Sequence, residues 1–304
     1  METWIAVARS VLRAGTPLLL GTLGGVYIER SGVMNLGAEG LMIVGAATGF
    51  VVAYTTGNPL LGMVASAIAG MILALIYGVL VVSLRANQVV SGLALTMFGL
   101  GLSSLIGRNF VGVPAPHVPP YPIPVLANIP VIGEILFQHD PLVYFSLFSA
   151  IVLWFILYKT KIGIAIRAVG DNPAAADAMG INVYLVRYLC LAFGGAFIGL
   201  AGAYLSLIYT PAWTEGMTVG KGWIVVALTV FSMWDPLKAV FGSYLFSGVE
   251  VIEYLLQPYG IPPTLLATLP YIATIVILCI ASRETVRKKI GAPAALGKPY
   301  TREI

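Results

Sequence analysis

Four carboxylates, Glu29, Glu39, Glu250 and Glu253, lie in or beside long apolar runs. Ionisable side chains in such a setting are functional candidates, because lipid offers an unpaired charge nothing to bind. Glu250 and Glu253 stand three residues apart, on one helix face, and could relay protons. They also stand close to Gln257, near the end of their run, and the sequence favours two carboxylates facing water there. The string GMTVGKG, residues 216–222, has the glycines and lysine of a phosphate cradle but the wrong spacing. A Walker loop needs four residues between its glycines and Ser or Thr after the lysine; here there are three, then Gly222. Nothing in the chain can hydrolyse ATP. His117 and His139 share one proline-rich stretch with no carboxylate cluster at metal spacing, so they read as surface histidines and not as ligands. Cys190 and Cys279 fall inside apolar runs and read as small buried hydrophobes without a disulfide. No convergent acid–base, nucleophile or metal set remains, which argues against a membrane enzyme.

The elements that hold these groups must be very apolar. The 304 residues are 59% hydrophobic and 10% charged, and the mean hydropathy is +0.92. Soluble domains carry roughly 25% charged residues, so most of this chain belongs in lipid. A bilayer core of about 30 Å takes about 20 apolar residues per helix. Nine runs can cross: 14–28, 41–57, 60–82, 88–107, 141–158, 188–210, 223–234, 239–257 and 263–281. The seventh is short and is expected to borrow residues from the glycine-rich stretch before it. No cleavable signal peptide is expected, since no small-residue cleavage site follows the first run. The expectation is an all-α polytopic membrane protein with a single transmembrane domain over 1–304. The formal charge of +4 bears on orientation and not on nucleic acid, because the basic residues sit between and after the apolar runs.

Basic residues fix the facing. The tail SRETVRKK is expected in the cytoplasm by the positive-inside rule. Counting back through nine spans puts 159–187 inside, and the loop 108–140, with its seven prolines, outside together with the amino terminus. Arg30, Arg85, Lys159, Lys161, Arg167, Arg187, Lys238 and six tail residues are then inside, thirteen against the four outside (Arg9, Arg13, Arg108 and Lys221). Residues 1–13 could form an interfacial amphipathic helix, and Arg9 and Arg13 would prefer the inner side. That placement would force the polar stretch 29–40 to cross as well, so the amino terminus stays outside.

Two polar, glycine-rich stretches enter apolar runs in similar ways: NLGAEGLMIVGA, 35–46, and TVGKGWIVVAL, 218–228. NPLLGMVASAIAG, 58–70, echoes DPLKAVFGSYLFSG, 235–248, each an Asx-Pro-Leu turn leading into a helix. The first turn counts out to the external side and the second to the cytoplasm. Residues 1–107 and 188–281 therefore read as inverted repeats joined by the external loop 108–140, a linking span 141–158 and the cytoplasmic segment 159–187. The tail 282–304 follows them. Inverted repeats with interrupted helices are a transporter signature. Irregular backbone survives at membrane depth only where protein or a water-filled cavity satisfies it. The stretches 31–40 and 211–222 are thus expected to be re-entrant or broken-helix segments beside a path, with Asn35, Glu39, Thr214 and Glu215 as its polar contributors. Short loops at the membrane surface are the alternative.

The segment KTKIGIAIRAVGDNPAAADAMGINVYLVR, 159–187, contains a short helix marked at both ends. Asp171 or Asn172 can cap it, Pro173 suits its first position, Ala174–Ala176 favour helix, and Gly180 sits where a left-handed residue ends it. About seven helical residues give ~10 Å, too short to stand alone. Its small residues Ala174, Ala175, Ala176, Ala178 and Gly180 would let a partner approach closely, with Asp177 and basic flanks at the rim.

GIAIRAVGDNPAAADAMGINV resembles the cytoplasmic coupling segment of permease subunits in the ATP-binding-cassette importer superfamily of ribose-type and branched-chain amino acid permeases. ERSGVMNLGAEGLMIVGA and YTPAWTEGMTVGKGWIVVALTVFSMWDP look more like its nucleoside and simple-sugar permeases, which work with lipoprotein receptors of the basic membrane protein type. The resemblance runs from about residue 18 to residue 280. It implies the large-type (type II) importer fold, in a prokaryotic plasma membrane. It also implies a second, non-identical permease subunit, ATPase subunits that use ATP and Mg, and an extracytoplasmic receptor; this chain itself would bind no cofactor. Carried over residue by residue, Gly163, Arg167, Ala168, Gly170, Asp171, Asn172, Ala175, Ala176 and Gly180 match the coupling motif. The implied cargo is a nucleoside, with simple sugars next and branched-chain amino acids third. An ion-coupled carrier using the carboxylates is the rival reading. A channel would leave the coupling motif without a purpose.

Overall fold

The computed structural model describes residues 2–116, 118–124, 126–218, 220–259, 262–266, 268–269, 272, 275 and 291–302. Its helices are α1 (Glu2–Arg30), α2 (Ala38–Thr56), α3 (Pro59–Gly78), α4 (Gln88–Gly107), α5 (Ile132–Leu136), α6 (Pro141–Lys159), α7 (Lys161–Asp171), α8 (Pro173–Ala178), α9 (Val183–Tyr204), α10 (Lys221–Phe231), α11 (Pro236–Leu256) and the single turn α12 (Pro263–Leu266). π-helical turns extend α3 through Val79–Ser83 and α9 through Leu205–Tyr209. Among the described residues seven helices are long and apolar enough to cross a membrane: α1, α2, α3, α4, α6, α9 and α11. The chain is a multi-pass membrane protein. Of the ninth expected run, 263–281, only α12 and residues 268, 269, 272 and 275 are among the described residues; Cys279 and the basic string 282–289 lie outside them.

The helix starts are written in the sequence. Asn58, Asn87, Asp140, Asn172, Asn182 and Asp235 each accept a hydrogen bond from a backbone N–H in the first turn of α3, α4, α6, α8, α9 and α11. In four of these a proline follows, fixing φ where no amide partner is needed. α1, α2 and α9 form the buried centre, whereas α3, α4, α6 and α11 are mostly exposed. The outer faces carry Leu60, Val64, Ile68, Ile72 and Ile76 on α3 and Phe148, Ile151 and Phe155 on α6. An apolar stripe of that extent suits lipid and not water.

Small residues draw the central helices together. A β-carbon at Gly24 would come within 2.5 Å of the Gly194 carbonyl, and one at Gly194 within 2.5 Å of the Gly24 carbonyl. The contact is reciprocal: Ile198 covers Gly24 and Ile28 covers Gly194, each one turn further along its helix. Gly45 and Gly70 both press on Gly199, and Ser66 donates to the Gly199 carbonyl. Van der Waals packing of this kind is the main adhesive between helices in lipid.

Three expectations change here. Residues 1–13 are no separate interfacial helix: α1 runs unbroken from Glu2 to Arg30. Its cations are satisfied without a break, because Arg13 donates to the Ile208 carbonyl (3.2 Å) and Arg9 reaches the Gln138 carbonyl (3.5 Å). The seventh run takes back only Lys221 and Gly222 from the glycine-rich stretch, because Gly220 is left-handed (φ +80°) and stops the helix there. α10 therefore has 11 residues, or about 16 Å, half a bilayer. Finally, the segment 159–187 holds two helices and not one. α7 is amphipathic, with Gly163, Ile166, Val169 and Gly170 buried and Ile162 and Ile164 exposed.

Candidate functional site

α8 is closed at both ends as its residues suggest. The Asn172 side chain accepts from the Ala175 amide at 3.1 Å, while Asp171 is the last residue of α7 and exposed. At the other end Gly180 is left-handed (φ +83°), its N–H donates to the Asp177 carbonyl, and the Ile181 N–H reaches back to Ala176 (3.0 Å). That pair of bonds is a Schellman closure, and a β-branched residue at Gly180 would strain it.

The coupling-motif residues divide by burial. Asn172, Ala175 and Gly180 are exposed, as are Ala174 and Ala178, and Met179 beside them is 83% exposed. Pro173 and Ala168 are half-buried. Gly163, Gly170 and Ala176 face inward: Gly163 lies under the carbonyls of Ile156 and Leu157, Gly170 against that of Arg30, and Ala176 among Val169, Val183 and Tyr300. Arg167 lays its guanidinium over the Tyr158 ring at 5.3 Å. So the motif encodes an outer surface of small residues and an inner seat that joins it to α1.

A second cluster surrounds Glu39, in the first turn of α2. Its carboxylate accepts from the Gly220 amide (3.2 Å), the Gly222 amide (2.7 Å) and the Thr218 hydroxyl. The two amides are unpaired donors at the start of α10, and a carboxylate there also meets the positive end of the helix dipole. The Glu39 backbone touches Gly222, and Gly40 packs on the Leu95 carbonyl, two turns into α4. Residues 31–37 are non-helical and α10 begins inside the protein, so both chain breaks occur beside Glu39. Next to them Lys221 and Glu250 pair at 2.5 Å, with side chains only 12% and 14% exposed. That corrects the expectation of two water-facing carboxylates: Glu250 is held by a cation from α10, and Glu253 is half-buried. Below, Glu29 accepts from the Trp234 indole N–H (2.6 Å) and the Asn35 amide (3.4 Å). The Asn35 side chain is buried, and both of its amide atoms lack a partner among the described residues.

Thr214 and Glu215 do not join this cluster; both are exposed. Their stretch is tied to the proline-rich loop, with Gly112 donating to the Trp213 carbonyl (3.1 Å) and Ala115 to Pro211 (2.9 Å). Arg9, Arg13, Tyr209 and Pro211 line an open cavity of about 260 Å³ together with Val118, Pro120, His139 and Asp140 of the proline-rich loop. His139 is buried and not a surface residue: its ring bonds the Ile135 carbonyl at 2.7 Å, and burial holds it below the ordinary histidine range. His117 lies outside the described residues. Arg13, well inside α1, lies beside this cavity, and Arg30, at the end of the helix, lies beside α7.

Sequence reasoning passed over Thr218, Lys221 and the segment 291–302, which packs under α8. Gly220 and Gly222 on either side of Lys221 were the available signal for a helix start, and only the fold shows which carboxylate meets it.

The family described as "Branched-chain amino acid transport system / permease component" matches residues 7–280. The putative glucose ABC transporter permease protein TsgC13 of Haloferax volcanii is 38% identical, over 97% of both chains. The guanosine ABC transporter permease protein NupQ of Bacillus subtilis is 38% identical, over 96% of this chain and 97% of its own. The nucleoside ABC transporter permease protein NupC of Lactococcus lactis is 31% identical, over 99% of this chain and 98% of its own. No solved structure matches.

Proposed function

This chain belongs to the branched-chain amino acid transport system / permease component family of ABC transporter permeases, and from that membership we propose that it is one of two permease subunits of an ATP-driven nucleoside importer. The observation that carries the importer reading is α8, a helix too short to persist alone, closed by side chain and glycine, with an exposed surface of Ala174, Ala175, Ala178 and Gly180. Such a surface suits an ATPase subunit that must seat closely. The nucleoside reading rests on the two relatives named for guanosine and nucleosides. Simple sugars are the second reading, favoured by the relative named for glucose.

In this reading ATP and Mg bind the partner ATPase, which pushes on α8. α7 and Gly170 pass the movement to the end of α1, and residues 31–37 and α10 shift around Glu39. An extracytoplasmic lipoprotein delivers the nucleoside over the cavity between the proline-rich loop and Tyr209 and Pro211. The second permease, a related but non-identical chain, completes the path. The Arg30 end then faces the cytoplasm of a prokaryotic cell and the Arg13 end the outside. Two features support inverted repeats: the reciprocal Gly24–Gly194 contact, and the like caps at Asn58 and Asp235, which stand at opposite ends of the fold. Asn35 and Glu39 border the path in this proposal. Glu250 is a poor proton relay while Lys221 neutralises it.

The test is uptake of radiolabelled guanosine by cells expressing the complete transporter, competed with unlabelled nucleosides, glucose or leucine. Competition by nucleosides and loss of uptake in Ala175→Trp, with the protein still inserted, are expected. Competition by glucose alone would favour sugars, and unchanged uptake in Ala175→Trp would remove α8 from the mechanism.

A further inference from the structure

The segment 291–302 lies beyond the family match, which ends at residue 280, yet it is built into the underside of α8. Four separate bonds tie it down. The Ala295 N–H donates to the Gly170 carbonyl (2.9 Å), and the Gly297 N–H to the Gly32 carbonyl (3.3 Å). The Arg302 guanidinium reaches the Asp177 carboxylate at 3.0 Å. Tyr300 is buried to 9% exposure among Val169, Ala176 and Val183, with its ring 5.9 Å from that of Tyr184. Arg30 completes the seat by donating to the Gly291 carbonyl at 3.0 Å.

These contacts have a direction. One end of the segment grips α8 through Tyr300 and Arg302, and the other grips the α1–α2 link through Gly32 and Arg30. Gly170 sits between them: a β-carbon there would strike the Arg30 carbonyl on one side and meet Pro293 on the other. α8 has only six residues, so its own contacts with the core are few, and a push on it would be lost in local bending. A buried tyrosine under it prevents that.

We propose that residues 291–302 are a strap belonging to the coupling apparatus, with Tyr300 as its positioning residue. The strap joins α8 to the α1–α2 link so that displacement of α8 reaches residues 31–37 and Glu39. Asp177 is paired with Arg302 of this strap. The proposal rests on α8 being the ATPase seat.

The test uses the assembled transporter in lipid nanodiscs and proteoliposomes, reading guanosine transported per ATP hydrolysed. Tyr300→Ala should leave ATPase co-purification and basal hydrolysis unchanged and lower the transport ratio several-fold. Tyr300→Phe should keep the wild-type ratio. A purely stabilising role would instead lower yield and hydrolysis together. A wild-type ratio in Tyr300→Ala overturns the strap. Should that variant fail to insert, Arg302→Asp decides: a reduced ratio restored by adding Asp177→Arg upholds it, and an unchanged ratio overturns it. Ala175→Trp, run alongside, separates the two ideas: retained ATPase binding there refutes the seat and with it the strap's role, whereas lost binding there with a wild-type ratio in Tyr300→Ala refutes the strap alone.

Discussion

Glu39 shows how one side chain can hold a broken helix in place. A helix start inside a membrane leaves amide donors with no water, and each unsatisfied one costs several kcal/mol in lipid. Glu39 takes two of those of α10 and the Thr218 hydroxyl, and a carboxylate does so more strongly than a neutral group. Glu39→Ala should therefore lower stability by about 3 kcal/mol, in the range for orphaning buried donors to a charged group. Glu39→Gln, which keeps one acceptor oxygen, should cost less. Thermal unfolding of both variants in the same detergent checks the order. Equal melting of wild type and Glu39→Ala would mean that the α10 start finds other acceptors.

At the scale of elements, α10 is anchored twice. Its start is held by α2 through Glu39 and by α11 through the Lys221–Glu250 pair, and the turn after it is held by α1 through Glu29 and Trp234. Removing one member of a largely buried ion pair is worse than removing both, because the remaining charge has no partner. Lys221→Met should cost about 3 kcal/mol, and Lys221→Met with Glu250→Gln should recover most of it. A double-mutant cycle on denaturation midpoints measures this. Additive losses would show the two side chains to be independently solvated.

At the scale of the molecule, the fold separates two ends. α1 carries Arg13 beside the cavity of the proline-rich loop and Arg30 beside α7 and the segment 291–302. Glu215 and Met179 are exposed at opposite ends. In whole cells an impermeant thiol reagent should label Glu215→Cys, and in inside-out vesicles Met179→Cys. Bound ATPase should protect only Met179→Cys. The reverse pattern would invert the proposed orientation.

Residue types and spacing alone determined the membrane class, the helix starts after Asn58, Asn172 and Asp235 and the closed ends of α8, because capping and hydropathy act over a few neighbouring positions. They also singled out Asn35 and Glu39, since polar residues in an apolar run must find partners. Which partners was decided by tertiary structure. Glu39 meets α10, 183 residues from Gly222 in the chain, Glu250 meets Lys221 in place of water, and Thr214 and Glu215 stay at the surface. Burial split the coupling motif in the same way, turning Ala176 and Gly170 inward and leaving Ala175 and Gly180 outside. The physical reason is that a cap is a local bond, whereas the choice of charge partner depends on which helices the packing of small residues brings together.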